Sequence, residues 1–280
     1  MIEKREFYIN GNWVAPAKAR DCAVIDPSTE DACAVISLGD QADTDAAVAA
    51  AKAAFPAWAA TDPQVRLGYV KGILEQYEKR ADEMAQAISI EMGAPIDMSR
   101  DDQAECLPWH LKNFLAAFEH MEWVRPLRPD TPNDMIALEP IGVVGLITPW
   151  NWPMNQIALK VIPALATGCT CVLKPSEHTP ISAMIYAEII HEAGYPAGVF
   201  NLVNGDGLNP GSALSRHPDA RWRVTPATVE ELLPLQAQLL AAMLPLLAPG
   251  GRLVYATCTI HPAENLAQVN KLLQEHADFQ

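Results

Sequence analysis

From Gly142 to Val203 short apolar runs alternate with longer segments of helical spacing, and few folds accommodate that rhythm. Gly142 to Thr148 reads as a fully buried strand, Pro153 to Ala166 as a helix and Thr170 to Leu173 as a second strand. Pro180 to Ala193 follows as a helix ended by Gly194, and Val199 to Val203 as a further strand; Met135 to Leu138 reads as a strand ahead of them all. Strands and helices of these lengths in alternation predict parallel βαβ units. An open α/β sheet binds ligands just beyond the carboxyl ends of its strands. Two loops therefore hold the chemistry: Thr148-Pro149-Trp150-Asn151-Trp152-Pro153 and Lys174-Pro175-Ser176-Glu177.

Ahead of this region the pattern is different. Phe7-Tyr8-Ile9-Asn10-Gly11-Asn12-Trp13-Val14 predicts a hairpin around an Asn-Gly turn, and Asp26-Pro27-Ser28 a second turn. An alanine-rich helix runs from Asp43 to Phe55, with Asp43 or Thr44 as its N-cap. Asp62-Pro63 caps the next helix, on which Tyr69, Ile73 and Tyr77 mark one buried face. That helical region continues to Met92 and stops at Gly93-Ala94-Pro95. A further one covers Ser99 to Glu122, with a bend or break at Pro108. Gln103, Glu105 and His110 fit no motif and are assigned to the surface.

The loop residues suggest a ligand class. Asn151 places a side-chain amide at a strand end ahead of a helix, where it can donate to a developing oxyanion; alone, it is an ordinary turn residue. Lys174 and Glu177 set a cation and a carboxylate three residues apart at the next strand end. A carboxylate there suits the ribose hydroxyls of a dinucleotide and repels a 2′-phosphate, which favours NAD over NADP. The plainer alternatives are that Glu177 caps the helix after Pro180 and that Lys174 is a solvated strand end. No GxGxxG follows any strand. The residues alone thus lead to a nucleotide-type α/β domain.

Composition excludes several classes. Among 280 residues, 34 are Asp or Glu against 20 Lys or Arg, a formal charge of −14 that argues against a nucleic-acid partner. The stretch Ile157 to Leu173 is interrupted by Lys160, Pro163 and Gly168, which argues against a membrane span. The cysteines at 22, 33, 106, 169, 171 and 258 show no metal-ligand spacing, and a reduced, cytoplasmic protein is the simplest reading. Cys169 and Cys171 alternate on one strand face and read as small buried apolar residues.

Three segments together resemble the aldehyde dehydrogenase superfamily: Gly145-Leu-Ile-Thr-Pro-Trp-Asn-Trp-Pro153, Gly168-Cys-Thr-Cys-Val-Leu-Lys-Pro-Ser-Glu177 and Gly198-Val-Phe-Asn-Leu-Val-Asn-Gly-Asp-Gly207. The hairpin segment and Ala46 to Trp58 are similar too, so the resemblance covers residues 1–218. It implies that Asn151 supplies the oxyanion-hole amide and that Lys174 and Glu177, with Ser176 between them, hold the adenosine ribose. Ile147, Thr148, Pro149 and Trp150 would line the cofactor groove, and Gly207 and Gly211 would allow close approach near the adenine. It also implies NAD as cofactor, a small-molecule aldehyde as substrate, and binding without the glycine fingerprint. Self-association through the N-terminal hairpin is a further expectation. In that family a cysteine attacks the aldehyde, hydride passes to the nicotinamide, and a glutamate activates water. A Phe-Thr-Gly-Ser-type turn is expected directly after His217-Pro218-Asp219, but the chain reads Ala220-Arg221-Trp222-Arg223-Val224-Thr225-Pro226. The pyrophosphate turn, the nucleophile and the base are not found.

The tail, residues 219–280, resembles instead the C-terminal part of the Sun family of RNA 5-methylcytosine methyltransferases. The resemblance rests on Arg216-His-Pro-Asp-Ala-Arg-Trp-Arg223, Leu235-Gln236, Leu247-Ala-Pro-Gly-Gly-Arg-Leu-Val-Tyr-Ala-Thr-Cys258 and Glu264-Asn265. A helical stretch from Thr225 to Leu247 bent at Pro234, a strand from Arg252 to Thr257 and a final helix after His261-Pro262 are expected. Cys258 matches the family's nucleophile, although it also reads as a plain core cysteine. The strands that bind S-adenosylmethionine are missing, so that cofactor is not expected. The fold class is therefore α/β: a truncated aldehyde-dehydrogenase-type parallel sheet with an N-terminal hairpin and helices, joined to a Rossmann-like methyltransferase fragment. A chimera with neither active site complete is the reading, with aldehyde oxidation as its label and RNA methylation or a non-catalytic role as alternatives.

Overall fold

In the computed structural model, Asn10 and Gly11 both take positive φ, 52° and 78°. That is the conformation of a two-residue hairpin turn whose twist matches its strands. It joins β2 (Phe7–Ile9) to β3 (Asn12–Val14). The structure describes residues 1–130, 133–217, 220–221, 233–234, 236–238 and 266–275. The chain forms two compact units, Met1–Arg221 and Trp222–Gln280.

The first unit is built on a six-stranded sheet. β8 (Val143–Ile147), β9 (Thr170–Lys174) and β10 (Phe200–Leu202) run parallel, with the crossovers made by α6 (Pro153–Ala166) and α7 (Pro180–Glu192). The hairpin continues this sheet: β2 pairs antiparallel with β10, so the order is β11-β8-β9-β10-β2-β3 and the sheet is mixed rather than wholly parallel. Asn201 fastens the join, because its Oδ1 accepts from the Asn10 amide at 2.9 Å while its Nδ2 donates to the Cys171 and Gly198 carbonyls. β11 (Ala220–Arg221) lies parallel to β8 at the opposite edge, opposite Val143 and Val144. The compact first unit ends with these two residues.

Both sheet faces are covered, which explains strands without polar alternation. α1 (Gln41–Ala59) and α8 (Ser212–Arg216) pack one face, where Ala47, Val48 and Ala51 meet Val143, Val172, Val203 and Leu214. α6 and α7 cover the other, and behind them stand α2 (Pro63–Lys79), α3 (Ala81–Met92) and α5 (Cys106–Glu119). Trp58 Nε1 and Arg66 Nε donate to the Leu165 and Ala166 carbonyls, and so satisfy the carboxyl end of α6.

Several expectations need correction. The N-cap of α1 is Asp40, and Asp43 is the reciprocal partner of a capping box: Asp40 Oδ1 accepts from the Ala42 amide and Asp43 Oδ2 from the Asp40 amide. The helix through Met92 divides at Arg80 into α2 and α3. The break in the following segment lies at Glu105, between a π-helical turn (Ser99–Ala104) preceded by α4 (Ile96–Met98) and α5. Pro108 sits in the first turn of α5, where its missing N–H costs nothing. Met135–Ala137, here β7, pairs only with β6 (Val124–Pro126) in a separate ribbon. The sequence reading also misses a three-stranded sheet of β1 (Ile2–Lys4), β5 (Ala32–Ser37) and β4 (Asp21–Ile25).

In the second unit, residues 233–234 and 236–238 of the expected leucine-rich stretch are helical, and Leu266–Glu275 forms a helix. Gln268 Nε2 donates to the Leu233 carbonyl at 3.2 Å, joining the two segments. The expected strand from Arg252 to Thr257, Cys258, Trp222 and His261 lie outside the described residues.

Candidate functional site

The two loops singled out by sequence leave adjacent parallel strands at their carboxyl ends. They are tied together by one bond, in which the Thr148 amide donates to the Lys174 carbonyl at 3.2 Å. Thr148 is buried and Ile147 half-buried, while Pro149, Trp150 and Asn151 are exposed; Trp150 keeps 50% of its surface open. The first loop thus presents an indole and an amide outward immediately before α6.

Lys174 is no solvated strand end, because only 4% of it is exposed. Its Nζ donates to the Gly205 carbonyl at 2.7 Å and lies 3.5 Å from Glu177 Oε2. Burial pulls this ammonium below the ordinary lysine range, while Glu177 and Asp206 pull it back toward the charged form. Ser176 is buried, and its Oγ accepts from the His178 amide at 3.3 Å. Glu177 does not cap α7: the N-cap residue Thr179 makes no side-chain bond, and the first-turn amides are taken by Glu91 from α3.

A third loop, after β10, closes the site. Asp206 accepts from the Leu208 and Asn209 amides and so caps a π-helical turn, Gly207–Gly211. Arg20 pairs with it at 3.1 Å and also donates to the Gly39 carbonyl. Burial pushes Asp206 up, but Asn209 and Arg20 outweigh it and leave the carboxyl below the usual range. Gly211 packs tightly: a Cβ there would stand 3.1 Å from the Asp206 carbonyl oxygen. Gly207 is exposed, and a Cβ would meet nothing within 4 Å.

The structure therefore gathers Lys174, Ser176, Glu177, Thr148 and Gly211 at one sheet end, with Asn151 at the outer end of the first loop. Sequence reasoning misses Arg20, Asp206 and Glu91, none of which lies in the two loops; the Asp206-Gly207 turn pair is the one signal among them. It also misses Lys160 on α6, which burial pulls below its ordinary range and whose Nζ donates to Gln156 Oε1 at 2.8 Å. Gln103 is fully buried rather than on the surface, and His110 Nε2 lies 2.6 Å from Asn155 Oδ1. The His217 side chain is largely covered, with Nε2 3.3 Å from Asp45 Oδ1. Cys171 is buried and its thiol is pushed far up by desolvation, and Cys106 is pushed up to about 12, so neither is an activated nucleophile. Among the described residues no cluster of three His, Cys, Asp or Glu could hold a metal ion, and no helix is long and apolar enough to cross a membrane.

Known proteins place this arrangement. A model of the aldehyde dehydrogenase family matches residues 13–223, and a model of the 16S rRNA methyltransferase RsmB/F family matches residues 209–280. A 3-succinoylsemialdehyde-pyridine dehydrogenase from a Pseudomonas species is 47% identical over 220 residues, which are 78% of this chain and 45% of that protein. An aldehyde dehydrogenase from Bartonella henselae superposes with a TM-score of 0.78 at 57% identity, covering 79% of this chain and 46% of the other. A variant of aldehyde dehydrogenase C from Pseudomonas syringae, in a structure with NAD+ and octanal, gives 0.74 at 46% identity, covering 77% and 44%. The match spans under half the length of each of these relatives. With residues 13–223 matched in sequence and its sheet superposed on solved members, the chain belongs to the aldehyde dehydrogenase family.

Proposed function

We propose that residues 1–218 are the cofactor-holding part of an NAD-dependent aldehyde dehydrogenase and that residues 219–280 derive from a methyltransferase. In this reading the chain holds NAD without oxidising an aldehyde. The observation that carries it is the pairing of buried Lys174 with half-exposed Glu177 at the carboxyl end of β9, tied to the Thr148 loop of β8. A half-exposed carboxylate beside a buried ammonium offers acceptors for two ribose hydroxyls and a donor for one of their oxygens. Glu177 would repel a 2′-phosphate, so NAD is preferred to NADP. When bound, the dinucleotide supplies the hydride acceptor of the family's chemistry. Trp150 and Pro149 would border it, and the Asn151 amide would donate to an aldehyde oxygen. The expectation of no turnover is supported by residues 209–280 matching the 16S rRNA methyltransferase RsmB/F family, where the aldehyde dehydrogenase match stops at residue 223.

Titration calorimetry with NAD and NADP tests the binding, and NADH absorbance with a panel of aldehydes tests turnover. Heat with NAD that disappears in Lys174→Ala, together with no NADH, is the expected result. No heat with the unaltered protein sinks the binding; aldehyde-dependent NADH sinks the claim of inactivity.

The methyltransferase match supports a second reading, methyl transfer to cytosine in RNA through Cys258. Transfer of label from S-adenosylmethionine to RNA, lost in Cys258→Ala, would establish it. Self-association through the hairpin would have to use the outer edge of β3, since β2 is already paired to β10. A monomeric mass by sedimentation would remove that proposal.

A further inference from the structure

Glu91 sits near the end of α3, 3% exposed, and both of its carboxylate oxygens leave its own helix. Oε2 accepts from the Ile181 amide at 2.6 Å and Oε1 from the Ser182 amide at 3.0 Å. These are the first free amides of α7, because Pro180 has none and Thr179 makes no side-chain cap. A local Ser or Thr cap would leave the start of α7 free to shift with its loop. A carboxylate brought from 90 residues earlier ties that start to a different helix.

What precedes α7 is the loop that carries Ser176 and Glu177. Its near end is fixed where Lys174 closes β9 in the sheet, and its far end is Thr179, whose amide donates to the Ser176 carbonyl. With so short a span, the position of the first turn of α7 sets where Glu177 stands relative to the Lys174 ammonium. We propose that Glu91 is a positioning residue for the dinucleotide: by holding the Ile181 and Ser182 amides it fixes the Lys174–Glu177 geometry that receives the ribose. This rests on the cofactor reading given above.

A carboxylate is suited to the task because one group supplies an acceptor to each of two amides, whereas a glutamine supplies one oxygen. The Ser182 hydroxyl lies close enough to favour the charged form, though short of hydrogen-bond geometry, and the Cys33 thiol on β5 registers the Glu91 charge. No function described so far uses Glu91, and burying a carboxylate without a cation is costly.

The test separates positioning from simple cohesion of α3 and α7. Arg80, at the other end of α3, also binds α7 through Glu188 and Glu192, far along the helix from the loop. Glu91→Gln keeps one acceptor, Glu91→Ala keeps none, and Arg80→Ala breaks the remote link. The NAD dissociation constant and the amide exchange of residues 176–182 are measured on each full-length protein. Positioning predicts a graded loss, about threefold for Gln and about tenfold or more for Ala, with faster exchange at 176–182. Arg80→Ala should lower the melting temperature and leave the affinity unchanged. Affinity that follows the melting temperature equally in all three variants, or that stays constant in both Glu91 variants, overturns the proposal. If Glu91→Ala does not fold, the Gln variant decides by the same criteria. If the unaltered protein takes up no NAD, the cofactor reading and the dinucleotide role fall together. Unchanged exchange at 176–182 would then remove the clamp as well.

Discussion

The buried carboxyl of Glu91 responds to pH oppositely to the acids on the surface. Burial pushes it up to about 7 from an ordinary 4.5, against the pull of the Ser182 and Ile181 bonds. The fold therefore holds the proton more tightly than the unfolded chain, so the two-acceptor carboxylate is complete only above about pH 7. The stabilisation is fully present below about pH 4.5 and gone above about pH 7. A shift of that size corresponds to roughly 3 kcal/mol across the window. Glu188 acts in the other direction: burial pushes it up, Lys4 and Arg80 outweigh that, and its contribution is lost as pH falls below the carboxylate range. The two windows do not coincide. Urea midpoints measured from pH 5 to 7.5 should fall as pH rises, and Glu91→Gln should flatten the slope; an unchanged slope in the variant would refute the assignment. At this scale Lys174 and Glu177 are legible in the sequence because three residues at a strand end keep them neighbours. Arg20 and Glu91 are not, since each reaches the site from a distant element and no local spacing announces it.

Elements with their own stop signals are read closely. α6 begins and ends where Pro153 and the Thr167-Gly168 turn put it, and Asp62 and Pro63 open α2 as expected. The three-stranded sheet is illegible for a physical reason. β4 and β5 are half-exposed and Ala- and Cys-rich, and β1 is mostly charged, so none carries a strong period-two pattern. The π-helical turn is equally hidden, because its extra residue depends on tertiary support such as the Tyr77 hydroxyl donating to the Ala104 carbonyl at 2.8 Å. Gly198 shows what the βαβ packing demands. Its φ is +81°, and a Cβ would fall 2.6 Å from the Ala50 carbonyl oxygen on α1. Gly198→Ala should cost about 1–3 kcal/mol from backbone strain and overpacking. That corresponds to a fall of about 2–10 °C in the melting temperature, and an unaltered melt would contradict the packing.

Across the whole chain, the two family matches overlap at residues 209–223, and within that overlap Ala220–Arg221 pairs with β8. The overlap therefore includes a paired edge strand of the sheet. Truncation after Arg221 should keep the melting temperature and any NAD affinity of the full chain, whereas truncation after Arg216 should lose stability by exposing the β8 edge. Equal melts for the two truncations would show that β11 contributes nothing. The join between β2 and β10 has a different consequence, one of timing. The Asn10 amide meets Asn201 across 191 residues, so the hairpin leaves the ribosome long before its partner strand is made. At ordinary translation rates that wait is on the order of ten seconds. The hairpin strands, made among the first, wait for β10 before joining their sheet, and until then their apolar faces are open to other chains.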